Sequence, residues 1–185
     1  MTPGTPNVRR VVTGDTADAR SVVLADEQLP FDGDPVVSVW SSSSPPQVPV
    51  LTMPADIADW YPQPGGARVV LFTVPPAGAP DGRWSEALED DRFHATDTVD
   101  TIVVVQGTVW VELDDGVEVE LGPGDVLVQN GTRHRWANHG TDLPLVAAFI
   151  VGAERSAVTT SGSTSRIGGQ HRRAGGPVTP GSRPT

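Results

Sequence analysis

Between residues 96 and 151 the chain alternates short valine-rich runs with turn residues, and this cadence restricts it to antiparallel β-architecture. Six candidate strands, 96–105, 108–113, 117–121, 125–129, 133–138 and 143–151, are separated by Gly, Asp or Asn turns. Strands this short and evenly spaced bury their apolar faces by forming a sandwich or closing into a barrel. The Asp-Gly pair of DDGV (114–117) marks a hairpin, because glycine accepts the positive φ of a primed turn. Asn130-Gly131 carries the same signal. Upstream, 8–14, 19–26, 35–40 and 67–76 read as further strands, the last ending at a double proline. Segments 41–49 and 53–66 are irregular, with Ile57, Trp60 and Tyr61 placed to cap a barrel, and 85–93 is either one helical turn or a loop. The fold class is all-β.

A chain of 185 residues has room for one domain with a real core. Eighteen prolines and twenty glycines argue against long helices. The expected organisation is a flexible leader over 1–7, a single domain over 8–155, and a disordered tail over 156–185, where Ser, Thr, Gly, Pro and Arg dominate. The absence of cysteine excludes disulfides, zinc–thiolate sites, iron–sulfur clusters and thiol nucleophiles. All 13 basic residues are arginine, which excludes Schiff-base lysines, pyridoxal phosphate attachment and a P-loop lysine.

Net charge is −10, and residues 1–155 hold all 23 acids against nine arginines. Such a surface repels phosphate backbones and anionic headgroups, so neither nucleic acid nor membrane is expected as a partner. The leader has no apolar h-region, and the apolar stretch 143–153 is broken by Pro144 and Gly152, well short of a membrane span. The expectation is a cytoplasmic protein.

The chemistry lies in the strand pattern after residue 93. Residues two apart on a strand share a face, so His94, Thr96, Thr98 and Asp100 point with Ile102 and Val104 toward the interior. A buried histidine and aspartate require partners. His134, on a strand where Trp136 and Asn138 share its face, can supply one. Two imidazoles and one carboxylate can meet at a divalent ion and leave coordination positions open. The alternative is that the three groups only hydrogen-bond one another.

The spacing resembles the cupin superfamily, whose first motif is H-x-H-x3-E-x6-G and whose second ends H-x3-N. Here the first stands as His94-Ala-Thr96-Asp-Thr-Val-Asp100, six residues, then Gly107; the second runs from Gly124-Asp125 to His134-Arg-Trp-Ala-Asn138. The resemblance covers roughly 92–151. It implies a double-stranded β-helix, a jelly-roll barrel completed by the N-terminal strands, with His94, Asp100 and His134 at metal-ligand positions. It also implies Gly107 and Gly124 as turn glycines and a structural Asn138. The sequence departs from the pattern at Thr96, which replaces a ligand histidine, at Asp100, which replaces a glutamate, and at Gln129-Asn130-Gly131, a turn one residue shorter than Pro-x-Gly allows.

Thr96, Thr98, Ile102, Trp110 and Trp136 are the expected pocket lining, with core packing the alternative for either tryptophan and simple strand preference for the threonines. Arg133 and Arg135 should point outward, His139 should be a solvated turn residue, and Glu112, Glu118 and Glu120 should form a solvated face. The expected function is a metal-dependent enzyme acting on a small organic molecule. It would use one divalent ion (Fe, Zn, Mn or Ni), with Asp100 and His134 as catalytic groups, for non-redox dehydration, decarboxylation, isomerisation or cyclisation in secondary metabolism. An Fe(II) dioxygenase and a non-catalytic small-molecule binder are the alternatives. A homodimer is expected.

Overall fold

A computed structural model describes residues 7–31, 35–43, 45–77 and 93–157. Ten strands run in the order β1 (Asn7–Asp15), β2 (Ser21–Pro30), β3 (Val36–Ser42), β4 (Ala67–Phe72), β5 (Thr98–Gln106), β6 (Val109–Glu112), β7 (Glu118–Leu121), β8 (Val126–Gln129), β9 (Arg135–Ala137) and β10 (Leu145–Gly152). The expected leader, most of segment 85–93 and the tail beyond residue 157 lie outside the described residues.

Every ladder is antiparallel. One sheet has the order β3-β4-β10-β5-β8, a second β7-β6-β9, and β1-β2 pair as a separate ribbon. This is the double-stranded β-helix, with β3 completing the larger sheet. The core lies between the two sheets, where Val70, Phe72, Ile102, Val104 and Val146 of one pack with Val109, Val111 and Leu121 of the other. Burial of these side chains is the main stabilising term, at about 1.5–3 kcal/mol each. A smaller cluster of Phe31, Leu71 and Leu145 lies against Val8, Val37 and Val39.

The Asp-Gly hairpin forms as its sequence dictates. Asp115 and Gly116 both have positive φ, 61° and 72°, the mirror-image turn that matches strand twist, and it joins the paired β6 and β7. Asn130-Gly131 does not make a second hairpin, which corrects that expectation. Its flanking strands have different partners, β8 pairing with β5 and β9 with β6, so the chain passes there from one sheet to the other. The strand expected over 67–76 leaves its ladder at Phe72, although the Thr73 N–H still donates to the Pro35 carbonyl at 2.9 Å.

Alternation along β5 is strict: Thr98, Asp100, Ile102 and Val104 are buried, while Val99, Thr101 and Val105 are exposed. The outer face of the larger sheet is accordingly apolar, with Val99, Val126, Val128, Phe149 and Val151 all between 39% and 58% exposed. Val151 pairs with Val99, and Phe149 with Thr101, which in turn pairs with Val128, so these side chains form one continuous patch.

Candidate functional site

The polar interior is assembled by register. Ser41, Arg68, Ile150, Asp100 and Gln129 form one row across all five strands of the larger sheet, and all five are buried. The neighbouring row holds Val70, Ala148, Ile102 and Leu127, and the next Phe72, Val146 and Val104. One end of the barrel is therefore lined by hydrogen-bonding groups over an apolar floor.

His94 and His134 meet in this region. Each backbone N–H donates to the other residue's carbonyl at 2.9 Å, an isolated antiparallel bridge outside the named strands. Their rings lie 4.4 Å apart between centroids. His134 is buried and its ring stands edge-on to Trp136 at 6.0 Å, which in turn packs on Phe72 at 5.4 Å. Nδ1 of His134 is 2.9 Å from the Thr132 carbonyl oxygen. A carbonyl can only accept, so Nδ1 carries the proton, and in the neutral ring Nε2 keeps its lone pair. Burial, reinforced by the neighbouring His94 and opposed by the Thr132 carbonyl, pulls the His134 pKa down to about 4, so the ring is neutral near pH 7.

Asp100 is placed differently. Its carboxyl is buried, with Oδ1 lacking a hydrogen-bond partner among the described residues. Burial pushes its pKa up, and the Thr98 hydroxyl partly opposes this. Thr98 Oγ1 also lies 2.7 Å from Thr96 Oγ1, both residues being buried. Among the described residues, no three His, Asp or Glu side chains gather into a group that could hold a metal ion. The structure thus brings together His94 and His134 of the expected ligand set and leaves Asp100 in the adjoining polar row. The pair sets two imidazoles side by side, with the Nε2 lone pair of His134 fixed in a buried setting.

Of the expected pocket residues, Thr96, Thr98 and Ile102 are buried on the inward face, and Trp136 sits beside His134. Trp110 requires a correction. Val109 and Val111 occupy the inward positions of β6, so Trp110 falls on the opposite face, where its ring lies 4.9 Å from that of His139. His139 is a half-exposed turn residue whose Nε2 is 2.8 Å from Glu118 Oε1. Arg133 and Arg135 point outward, paired with Asp114 and Glu112 and lying over the Phe93 ring. Asn138 is structural: Nδ2 donates to the Val74 and Asp142 carbonyls at 2.9 and 2.8 Å, and Oδ1 accepts from the Gly140 N–H.

Two features went unread in the sequence. Arg68 is buried on the inward face of β4 and pins the loop that follows Pro54. Its Nη1 donates to the Asp59 and Trp60 carbonyls at 3.0 Å each, and its guanidinium lies over the Trp60 ring. Asp56, bonded to the Ser41 hydroxyl, is held below the usual carboxylate range: partial burial opposes this, but the Ser41 and Ser38 hydroxyls and Arg68 outweigh it. A cavity of about 510 Å³ opens here, its walls including Ser41, Ser43, Asp56, Asp59, Tyr61 and Gln63. Neither histidine lines it. Tyr61 is one of its walls, and burial pushes the phenol pKa up, opposed by a hydrogen bond with Trp60 and helped by the Asp100 charge. Gln129 is the other unread feature; as a polar residue at an inward strand position it carried a signal that parity alone reveals.

Residues 72–151 match the family model of the cupin domain, Cupin_2. That stretch of the chain is similar to the cupin domain. It is 35% identical over 75 residues to Phomopsin biosynthesis cluster protein C' of Diaporthe leptostromiformis, covering 40% of this chain and 34% of the relative. Over 75 residues it is 36% identical to Oryzines biosynthesis cluster protein J of Aspergillus oryzae, covering 40% of this chain and 36% of the relative. The chain thus spans about a third of the length of the curated relatives it matches. Among solved structures, a double-stranded β-helix protein from Klebsiella pneumoniae is 18% identical with a TM-score of 0.36, covering 47% of this chain and 68% of that one. A Cupin 2 conserved barrel domain protein from Salinispora arenicola is 16% identical with a TM-score of 0.35, covering 47% and 64%. Among the described residues no helix is long and apolar enough to cross a membrane.

Proposed function

We propose that this cupin is a metal-dependent enzyme of small-molecule biosynthesis, catalysing non-redox tailoring chemistry such as dehydration, decarboxylation, isomerisation or cyclisation. The observation that carries this reading is the imidazole pair. His94 and His134 are fixed side by side through their own backbones, and His134 is neutral, buried and oriented with Nε2 free of its proton. The biosynthesis-cluster relatives support the setting.

His94 and His134 would hold the ion, with Asp100 as the third ligand when its carboxylate turns to them. A divalent ion bound there supplies Lewis acidity toward a carbonyl or enolate oxygen. The chain's own groups do the rest. Where Asp100 is not a ligand, its pKa, raised by burial, and its unpartnered Oδ1 suit it to hold a proton for the substrate. Thr96 and Thr98 present a hydroxyl pair beside it, and the apolar rows beneath exclude water.

The decisive experiment is metal analysis of purified protein with activity-independent readout. About one equivalent of zinc, manganese, nickel or iron, lost in His134→Ala, is expected. Less than about a tenth of an equivalent, unchanged by His134→Ala, refutes the metalloenzyme. Iron together with substrate-dependent oxygen uptake would identify the dioxygenase alternative. A second reading, a small-molecule-binding cupin without turnover, is favoured by one observation: Asp100 stands outside the histidine pair.

The homodimer belongs to the same proposal. Copies carrying a net charge of −10 repel one another, so a stable contact must use an uncharged surface. The valine-rich outer face of β5, β8 and β10 is such a surface. Light scattering should give twice the chain mass, and Val128→Asp should reduce it to one; a wild-type monomer refutes the dimer.

A further inference from the structure

His134 owes its orientation to a carbonyl on the turn that precedes it, and that turn has its own anchor. Gln129 ends β8 buried in the polar row, opposite Asp100. Its side chain turns away from Asp100 toward the crossover. Nε2 donates to Thr132 Oγ1 at 2.7 Å and lies 3.4 Å from the Thr132 carbonyl oxygen. The same carbonyl oxygen accepts the Nδ1 proton of His134 at 2.9 Å.

We propose that Gln129 is a positioning residue that fixes the tautomer of His134. It does so by clamping Thr132, so that a backbone carbonyl always faces Nδ1 and Nε2 is always the bare nitrogen. The physical grounds are two. Among the described residues the five-residue crossover between sheets, 130–134, makes no ladder hydrogen bonds before His134, so side chains hold it: Arg155 at the Gly131 carbonyl and Gln129 at Thr132. An imidazole exchanges tautomers freely unless one nitrogen is committed, and a partner that only accepts commits it. Gln129 is apt for this role because its amide donates: Thr132 Oγ1 and the Thr132 carbonyl both accept. A hydrophobic residue at 129 would fill the row without holding the turn. The significance of the lock rests on the metal reading given above, since a bare Nε2 is what an ion requires.

The test separates the lock from that reading. In metal-free protein at neutral pH, nitrogen-15 spectra of the imidazoles, with the His134 signals identified by their loss in His134→Gln, should show one tautomer, with the proton on Nδ1. Gln129→Leu should convert this to a mixture with a substantial Nε2–H population, in a protein whose amide spectrum remains that of the folded barrel. If Gln129→Leu does not fold, Thr132→Val, which removes only the hydroxyl acceptor and leaves the carbonyl, carries the same expectation. A His134 ring still wholly in the Nδ1–H form in the folded variant overturns the proposal. Zinc titration of the same proteins gives the second arm: affinity in the variant should fall roughly 10- to 100-fold. Equal zinc affinities alongside a mixed tautomer would overturn the link between lock and ion. Absence of zinc binding by the wild type would refute the metal reading and leave the tautomer result standing.

Discussion

His94 and His134 lie forty residues apart in sequence and exchange both backbone hydrogen bonds, each at 2.9 Å, His94 four residues before β5 and His134 directly before β9. The bridge ties the entry of a strand in the larger sheet to the entry of a strand in the smaller one. It is made by main-chain atoms, so it survives substitution of either side chain. His94→Ala and His134→Ala should therefore each retain the fold while lowering cobalt or zinc affinity by roughly 100-fold or more. Circular dichroism and calorimetric metal titration check both halves.

Asn138 gives the largest single stability effect expected outside the core. Its amide donates to the buried Val74 carbonyl and to that of Asp142 and accepts one N–H, joining the residues after β9 to Val74 beyond β4. Asn138→Ala leaves the Val74 carbonyl without its donor and should cost about 1–3 kcal/mol in urea unfolding. Asn138→Asp places a carboxylate oxygen against two carbonyls and should cost more.

Two glycines of equal φ should respond unequally to alanine. Gly107 (φ 75°) turns the chain after β5, and a Cβ there would lie 2.9 Å from the Pro144 Cα. Gly116 (φ 72°) has nothing within 4 Å of such an atom. Gly116→Ala bears only the left-handed backbone cost of about 1 kcal/mol, whereas Gly107→Ala adds a main-chain clash and should lose at least twice as much. Thermal unfolding of the two variants decides it.

Stability of the metal-free protein should fall on acidification through a window set by His134. Its folded pKa, about 4, is below the unfolded value of 6.5, so between these limits the unfolded chain binds more protons than the folded one. The contribution is complete above pH 6.5 and is lost as pH falls toward 4, up to about 3 kcal/mol for a shift of this size. Asp100 acts with opposite sign, because burial raises its pKa and acidification relieves its charge. Urea unfolding of wild type and His134→Gln across this range should show the steeper pH dependence in the wild type. Equal slopes would contradict it.

What could be read from residues alone was periodicity. Alternation over 94–104 correctly sent Thr96, Thr98, Asp100, Ile102 and Val104 inward, and the Asp-Gly turn correctly paired β6 with β7, because both are local consequences of backbone geometry. Parity on one strand says nothing about distance to a residue on another. Register between β5, β10 and β4 decided that Asp100 shares its row with Arg68 and Gln129, and the crossover at Asn130-Gly131 decided that His134 meets His94. Trp110 was misplaced for a different reason: its size suits a pocket, but alternation gives the inward positions of β6 to Val109 and Val111. Face is a property of the sequence, and neighbourhood is a property of strand pairing, which long-range packing of the two sheets sets.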